Sequence, residues 1–113
     1  MRALILAAAA TLAVTGAAFA DPIEGNWRTK SGETAKIVPC SGGYCITLTT
    51  GEHAGRRIGK MAPSGANSYA GEITDPGEDK TYKGKASLSG GALTMKGCVL
   101  GGLICRGETW SRL

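Results

Sequence analysis

Four cysteines carry most of the chemistry this chain has to offer. Cys40 and Cys45 stand in "PCSGGYC", and Cys98 and Cys105 in "KGCVLGGLIC". As metal ligands they would be C-x4-C and C-x6-C, which are not the usual zinc spacings. In an oxidising compartment an even count reads as disulfides, and four cysteines allow three pairings. His53 is the only histidine, in the loop "TGEHAGRR", and reads as solvent-exposed. Asp75, Glu78 and Asp79 cluster in "DPGEDK". They lack the regular alternation of an oxygen-ligand loop and read as an acidic hairpin turn. Arg56, Arg57 and Lys60 are the densest basic cluster. They suit either a solvated edge strand or a contact with an acidic partner or lipid headgroup. Glu108 and Arg106 share a strand face with Trp110 and Arg112, provided Gly107 carries no bulge that resets the faces. No catalytic constellation emerges, so the reading is a non-enzyme with no cofactor and no metal.

The compartment those cysteines need is written at the N-terminus. Arg2 precedes the apolar run "ALILAAAATLAV", and Ala18-Phe19-Ala20 is a small-x-small cleavage site before Asp21-Pro22. That is a secretory signal peptide over residues 1–20. No basic stop-transfer cluster follows, so a transmembrane span is not expected. Removing those residues from 113 leaves 93, one small β domain over 21–113 that benefits from covalent staples. Its net charge of about +3 is too mild to imply nucleic acid. The expected state is a soluble periplasmic or secreted monomer.

The elements that hold these residues are read from alternation. In "TYKGKASLSGGALTMKGC" a Gly90-Gly91 turn pairs Leu88 with Leu93, Ala86 with Met95 and Gly84 with Gly97 on one face, and Lys85 with Lys96 on the other. In "YAGEITDPGEDKTYKGK", Asp75 opposite Lys80 sets Ile73 against Tyr82 and Gly71 against Gly84. Glu72 then meets Lys83 on the outer face, a favourable cross-strand pair. The two registers agree on the inward face of 81–89. "AKIVPCSGGYCITLTT" turns at "SGGY", with Cys40 opposite Cys45 and Ile37 opposite Leu48. "GNWRTKSGETAKI" turns at Ser31-Gly32-Glu33, with Trp27 opposite Ile37. Gly101-Gly102 turns a last hairpin, with Cys98 opposite Cys105 and Val99 opposite Ile104. The hairpins therefore select the local pairing Cys40–Cys45 and Cys98–Cys105, each ring contributing roughly 2 kcal/mol.

Strands are expected near 25–30, 33–40, 44–50, 56–61, 68–74, 81–89, 92–98 and 104–112. Eight antiparallel strands on short turns fit an all-β up-and-down barrel or a strongly rolled sheet. A two-sheet β-sandwich is the alternative. Gly71, Gly84 and Gly97 then line up across three strands, facing inward. Such a row is explained by sharp curvature, by Trp27 or Trp110 lying over bare backbone, or by space for a ligand. Parity carries the inward face on to Val99 and Ile104, which are expected to plug one barrel end.

Four stretches, "DPIEGNW", "PCSGGYC", "DPGEDKTYKGK" and "KGCVLGGLICRGETWSRL", resemble a family of small exported bacterial proteins known as domain of unknown function 2147. The resemblance covers nearly the whole mature chain and implies no activity. A looser resemblance is to the lipocalin (calycin) architecture, on Gly25-x-Trp27 in the first strand and Arg112 in the last. It implies that the tryptophan closes one barrel end with the arginine packed over it. The candidate ligand-facing or core residues are Trp27, Tyr69, Gly71, Tyr82, Gly84, Gly97, Trp110 and Arg112. The functions that follow are a binding module for a small apolar or amphipathic ligand, or an envelope-protein interaction factor acting through surface loops.

Overall fold

The structure is a computed structural model and describes residues 22–113. The signal peptide read over residues 1–20 lies outside the described residues. Eight strands follow one another as β1 (Gly25–Arg28), β2 (Thr34–Cys40), β3 (Gly43–Leu48), β4 (Arg57–Gly65), β5 (Ser68–Asp75), β6 (Lys80–Ser89), β7 (Ala92–Val99) and β8 (Ile104–Arg112). Each pairs antiparallel with its chain neighbours, and β1 meets β8 to close the barrel. An up-and-down barrel is thus the fold, and neither a sandwich nor an open rolled sheet forms.

Alternation builds it. The hairpins β5–β6 and β6–β7 have the registers that their side-chain patterns demand: Gly71 opposite Gly84, Gly84 opposite Gly97, Glu72 opposite Lys83, Leu88 opposite Leu93. The β7–β8 pairing continues unbroken from Ala92–Ser111 to Val99–Ile104, so Gly107 carries no bulge. Met61, Gly71, Gly84, Gly97 and Arg106 consequently form one row across five strands.

Two registers differ from expectation, each by two residues. Trp27 pairs with Ala35, not Ile37, because the β1–β2 loop is wider and runs over residues 29–33. The loop's own polar groups hold it. Thr29 N–H donates to Glu33 O at 2.8 Å, and the hydroxyls of Ser31 and Thr29 donate to Glu33 Oε1 at 2.6 and 3.3 Å. Between β2 and β3 the turn is the tight Ser41-Gly42, with Gly42 at φ +81°. Tyr44 therefore belongs to β3, where its ring meets Tyr69 edge-on at 6.1 Å. Ile37 faces Ile46, and Cys40 lies diagonal to Cys45 instead of opposite it. A shift of two preserves the faces, so Trp27, Ala35, Ile37, Ile46 and Leu48 are all buried inward.

Both local disulfides form. Cys40–Cys45 spans Cα atoms 5.8 Å apart, within bridging range even on the diagonal. Cys98–Cys105 joins directly opposed residues. The β7–β8 tip is a four-residue loop over residues 100–103, including a short 3-10 turn at Leu100–Gly102, and not a two-residue Gly101-Gly102 turn.

Candidate functional site

The two ends of the barrel are built differently. At one end, the backbone of residues 22–24 folds beneath the barrel, and Ile23 and Trp27 are fully buried. Trp27 Nε1 donates to Ile23 O at 2.9 Å. Arg112, at the end of β8, lies over the Trp27 ring, 4.2 Å from its centroid. Its guanidinium donates to Glu24 O at 2.9 Å and to Pro22 O. Gly25 sits at φ +126°, and a side chain there would meet Arg112 Nη1 at 3.0 Å. The Gly-x-Trp spacing is thus the geometry of a seal: the glycine lets the arginine pass, and the tryptophan supplies the ring it covers.

The opposite end is open. A cavity of about 770 Å³ enters between the loops of residues 29–33, 49–56 and 76–79 and the strand ends at Val99 and Ile104. Its wall is apolar: Leu48, Ile58, Ile73, Tyr82, Met95, Val99 and Trp110. Its rim is polar: Ser31, Glu33, His53, Asp75, Glu78, Lys80 and Arg106. Along β8 the inward positions grade from Ile104 at the mouth through Arg106 and Glu108 to buried Trp110. Trp110 Nε1 donates to Glu108 Oε2 at 2.6 Å, which satisfies an indole that burial would otherwise strand. Lys80 Nζ lies 5.5 Å from the Tyr82 ring centroid.

The expected plug is absent. Val99 and Ile104 do face the cavity, but Ile104 is 52% exposed and the tip leucines Leu100 and Leu103 are 68% and 85% exposed. Parity aims those side chains correctly; nothing on the far wall reaches across to bury them. The tryptophan expected over the glycine row is also absent, since both tryptophans lie deeper. Met61 covers Gly84, where an added Cβ would stand 2.5 Å from its Cε. Tyr82 and Ile73 cover Gly97, with Tyr82 Cβ 3.3 Å from such an atom. Gly71 is closed by the strand beside it, since a side chain would collide with Lys60 O.

Of the candidate residues, Tyr82, Gly97 and Trp110 line the cavity. Trp27, Tyr69 and Gly84 belong to the interior packing, and Arg112 to the sealed end. Gly71, expected to face inward, is instead exposed on β5, its open side set against the backbone of β4. The basic cluster is dispersed: Arg56 pairs with Asp79, Arg57 is exposed on β4, and Lys60 stands opposite Glu72. The acidic turn is structural, because Asp75 Oδ1 accepts from Gly77 N at 2.9 Å and Glu78 N at 3.3 Å. His53 is half-buried at the rim and not fully in solvent. Sequence reasoning placed Leu48, Ile73 and Met95 on the inward face without naming them as cavity walls, and did not place Ile58 at all. Ile58 turns inward through the irregular β3–β4 register at Ile46–Thr47, which alternation alone does not announce.

Among the described residues no group of three His, Cys, Asp or Glu side chains could hold a metal, and no helix is long and apolar enough to cross a membrane.

Fold and site together define a small antiparallel β-barrel, sealed at one end by a Trp–Arg pair and open at the other on a largely apolar cavity. The chain belongs to the bacterial family described as "Uncharacterized protein conserved in bacteria (DUF2147)", whose model matches residues 52–112, from the β3–β4 loop to the end of β8. None of the curated proteins and none of the solved structures matches it.

Proposed function

We propose that the protein is a non-catalytic binding module of the bacterial periplasm that holds one small apolar or amphipathic molecule in the barrel mouth. The observation that carries this reading is the asymmetry of the ends. One is sealed by Trp27 and Arg112; the other leaves about 770 Å³ open, within the few hundred to ~1,000 Å³ of ordinary ligand pockets. Apolar walls below a polar rim suit a molecule with a greasy body and a polar head. Two disulfides support an oxidising compartment. With all cysteines paired and the one histidine on a rim loop, the lining supports retention of a ligand better than its conversion.

A second reading has its own observation. Leu100, Leu103 and Ile104 form an exposed apolar tip beside the mouth, the kind of surface that marks a contact site. The protein would then act on an envelope protein through its loops.

Native mass spectrometry of the protein taken from its own periplasm separates the two. The binding-module reading expects a single small-molecule adduct that Val99→Trp, which fills the mouth, removes. A co-purifying protein with no small adduct would overturn it in favour of the second.

A further inference from the structure

The barrel closes through a short seam. β8 pairs with β7 from Ile104 to Ser111, but with β1 only at Ser111 and Arg112. β1 stops at Arg28, and the loop after it bends over the mouth: Thr29, Ser31 and Glu33 line the cavity, and Lys30 N–H donates to Glu108 Oε2 at 3.4 Å. Among the described residues no strand pairs with the outer edge of β8 from Ile104 to Trp110. Cys105, Arg106, Gly107 and Thr109 are exposed along it. An unpaired edge is a template for another strand.

The edge is self-complementary. It reads Cys105-Arg106-Gly107-Glu108-Thr109, with the charges inverted about Gly107. Two copies laid antiparallel about a two-fold axis at Gly107 place each Arg106 opposite the other copy's Glu108, and Cys105 opposite Thr109. Opposite charges across a ladder are favourable and like charges are not. A parallel, in-register pairing would set Arg106 against Arg106. Slipping the antiparallel pairing by one residue would set it against Gly107. The charges that deter indiscriminate edge pairing therefore select this one register. Both are available for it: Arg56–Asp79 is the only ion pair among the described residues, and Glu108 commits only Oε2, to the Trp110 indole and the Lys30 amide. At the axis Gly107 presents no side chain to hinder the approach of a second backbone.

We infer that the free edge of β8 is an interface and that its partner is a second copy of this chain, joined by antiparallel β8–β8 pairing centred on Gly107. The contact is isologous and closes as a dimer. It departs from the monomer expected of the sequence. Each copy's Arg106 completes the rim of its neighbour's mouth beside Glu108, and the exposed apolar tip is carried toward the neighbour's loop at residues 29–33.

Sedimentation velocity on the oxidised chain 21–113 tests this. The expected result is a concentration-dependent doubling of mass. Arg106→Glu puts like charges opposite twice and should weaken the dimer about tenfold or more. The exchange Arg106→Glu with Glu108→Arg should restore it. Hydrogen exchange on the unmodified protein gives a readout that needs no variant: amides within 105–109 should slow from dilute to concentrated solution, while those of Ala62 and Ala70 should not. A chain monomeric up to about 1 mM, or a dimer indifferent to Arg106→Glu, overturns the inference.

Discussion

The guanidinium of Arg112 lies 4.2 Å from the centre of the Trp27 ring, and the same side chain ties down the carbonyls of Pro22 and Glu24. A cation–π contact at a partly exposed site contributes about 0.5–1 kcal/mol, and hydrogen bonds from a charged donor somewhat more. Arg112→Ala should therefore lower stability by about 1–3 kcal/mol in urea unfolding. Arg112→Lys should recover only part, because a lysine keeps the charge but loses the planar fork that reaches two carbonyls. Equal stability of Arg112→Ala and the parent protein would mean that the seal does not need the arginine.

The glycine row predicts an order and not a single cost. Alanine at Gly71 collides with a backbone carbonyl, that of Lys60, which cannot move without breaking the β4–β5 ladder. At Gly84 the obstacle is the end of Met61, a flexible side chain. At Gly97 the nearest atom is Tyr82 Cβ at 3.3 Å. Thermal unfolding should show Gly71→Ala as the most damaging, at about 2 kcal/mol or more, then Gly84→Ala, then Gly97→Ala, in line with overpacking costs of ~1–3 kcal/mol. The reverse order would contradict the packing described.

The tip should tolerate polarity. Leu100→Ser and Leu103→Ser alter exposed side chains and should each cost less than about 0.5 kcal/mol in denaturant melts. Ile104→Ser should cost under about 1 kcal/mol, since half its surface already meets water. A loss of several kcal/mol at Ile104 would revive the plug that the structure lacks. The bridge below the tip is another matter: replacing Cys98 and Cys105 together by Ala should cost about 2 kcal/mol.

Arg56, Arg57 and Lys60 changed together to Ser should move the unfolding midpoint little, by under about 1 kcal/mol. The only ion pair among them joins Arg56 to Asp79, and both side chains are well exposed, where such pairs contribute ~0–1 kcal/mol. A larger loss would show the cluster to be structural.

Much of this architecture was legible because the strands are short, amphipathic and joined by glycine turns. Every inward and outward assignment along 81–98 followed from two hairpins that agreed on the face of Gly84 and Ala86. The registers at Trp27 and Cys40 were not legible, because hydroxyl–carboxylate bonds in one loop and a positive φ at Gly42 in the other decide turn length. Neither leaves a mark in apolar alternation. Faces survived those errors because each slip was even. The open mouth was hidden for a different reason: parity says where Val99 and Ile104 point, but not whether anything stands opposite to bury them. The Trp27–Arg112 seal, in contrast, came through the resemblance of Gly25-x-Trp27 and a late arginine to the lipocalin architecture, and the structure shows the contact.

The two tryptophans are near neighbours across the β1–β8 seam, since Trp27 pairs with Arg112 and Trp110 is the next inward residue on β8. Only Trp110 lines the cavity, so their indole N–H resonances distinguish the cavity wall from the seal beneath it. The most direct measurement is a proton–nitrogen NMR titration of the oxidised chain with N-phenyl-1-naphthylamine, a small apolar probe. Binding in the mouth predicts saturable shifts at the Trp110 indole and at the amides of Ile73, Tyr82 and Val99, with the Trp27 indole unmoved. Shifts confined to the exposed tip at Leu100 and Leu103, or none at Trp110 at any probe concentration, would contradict the account.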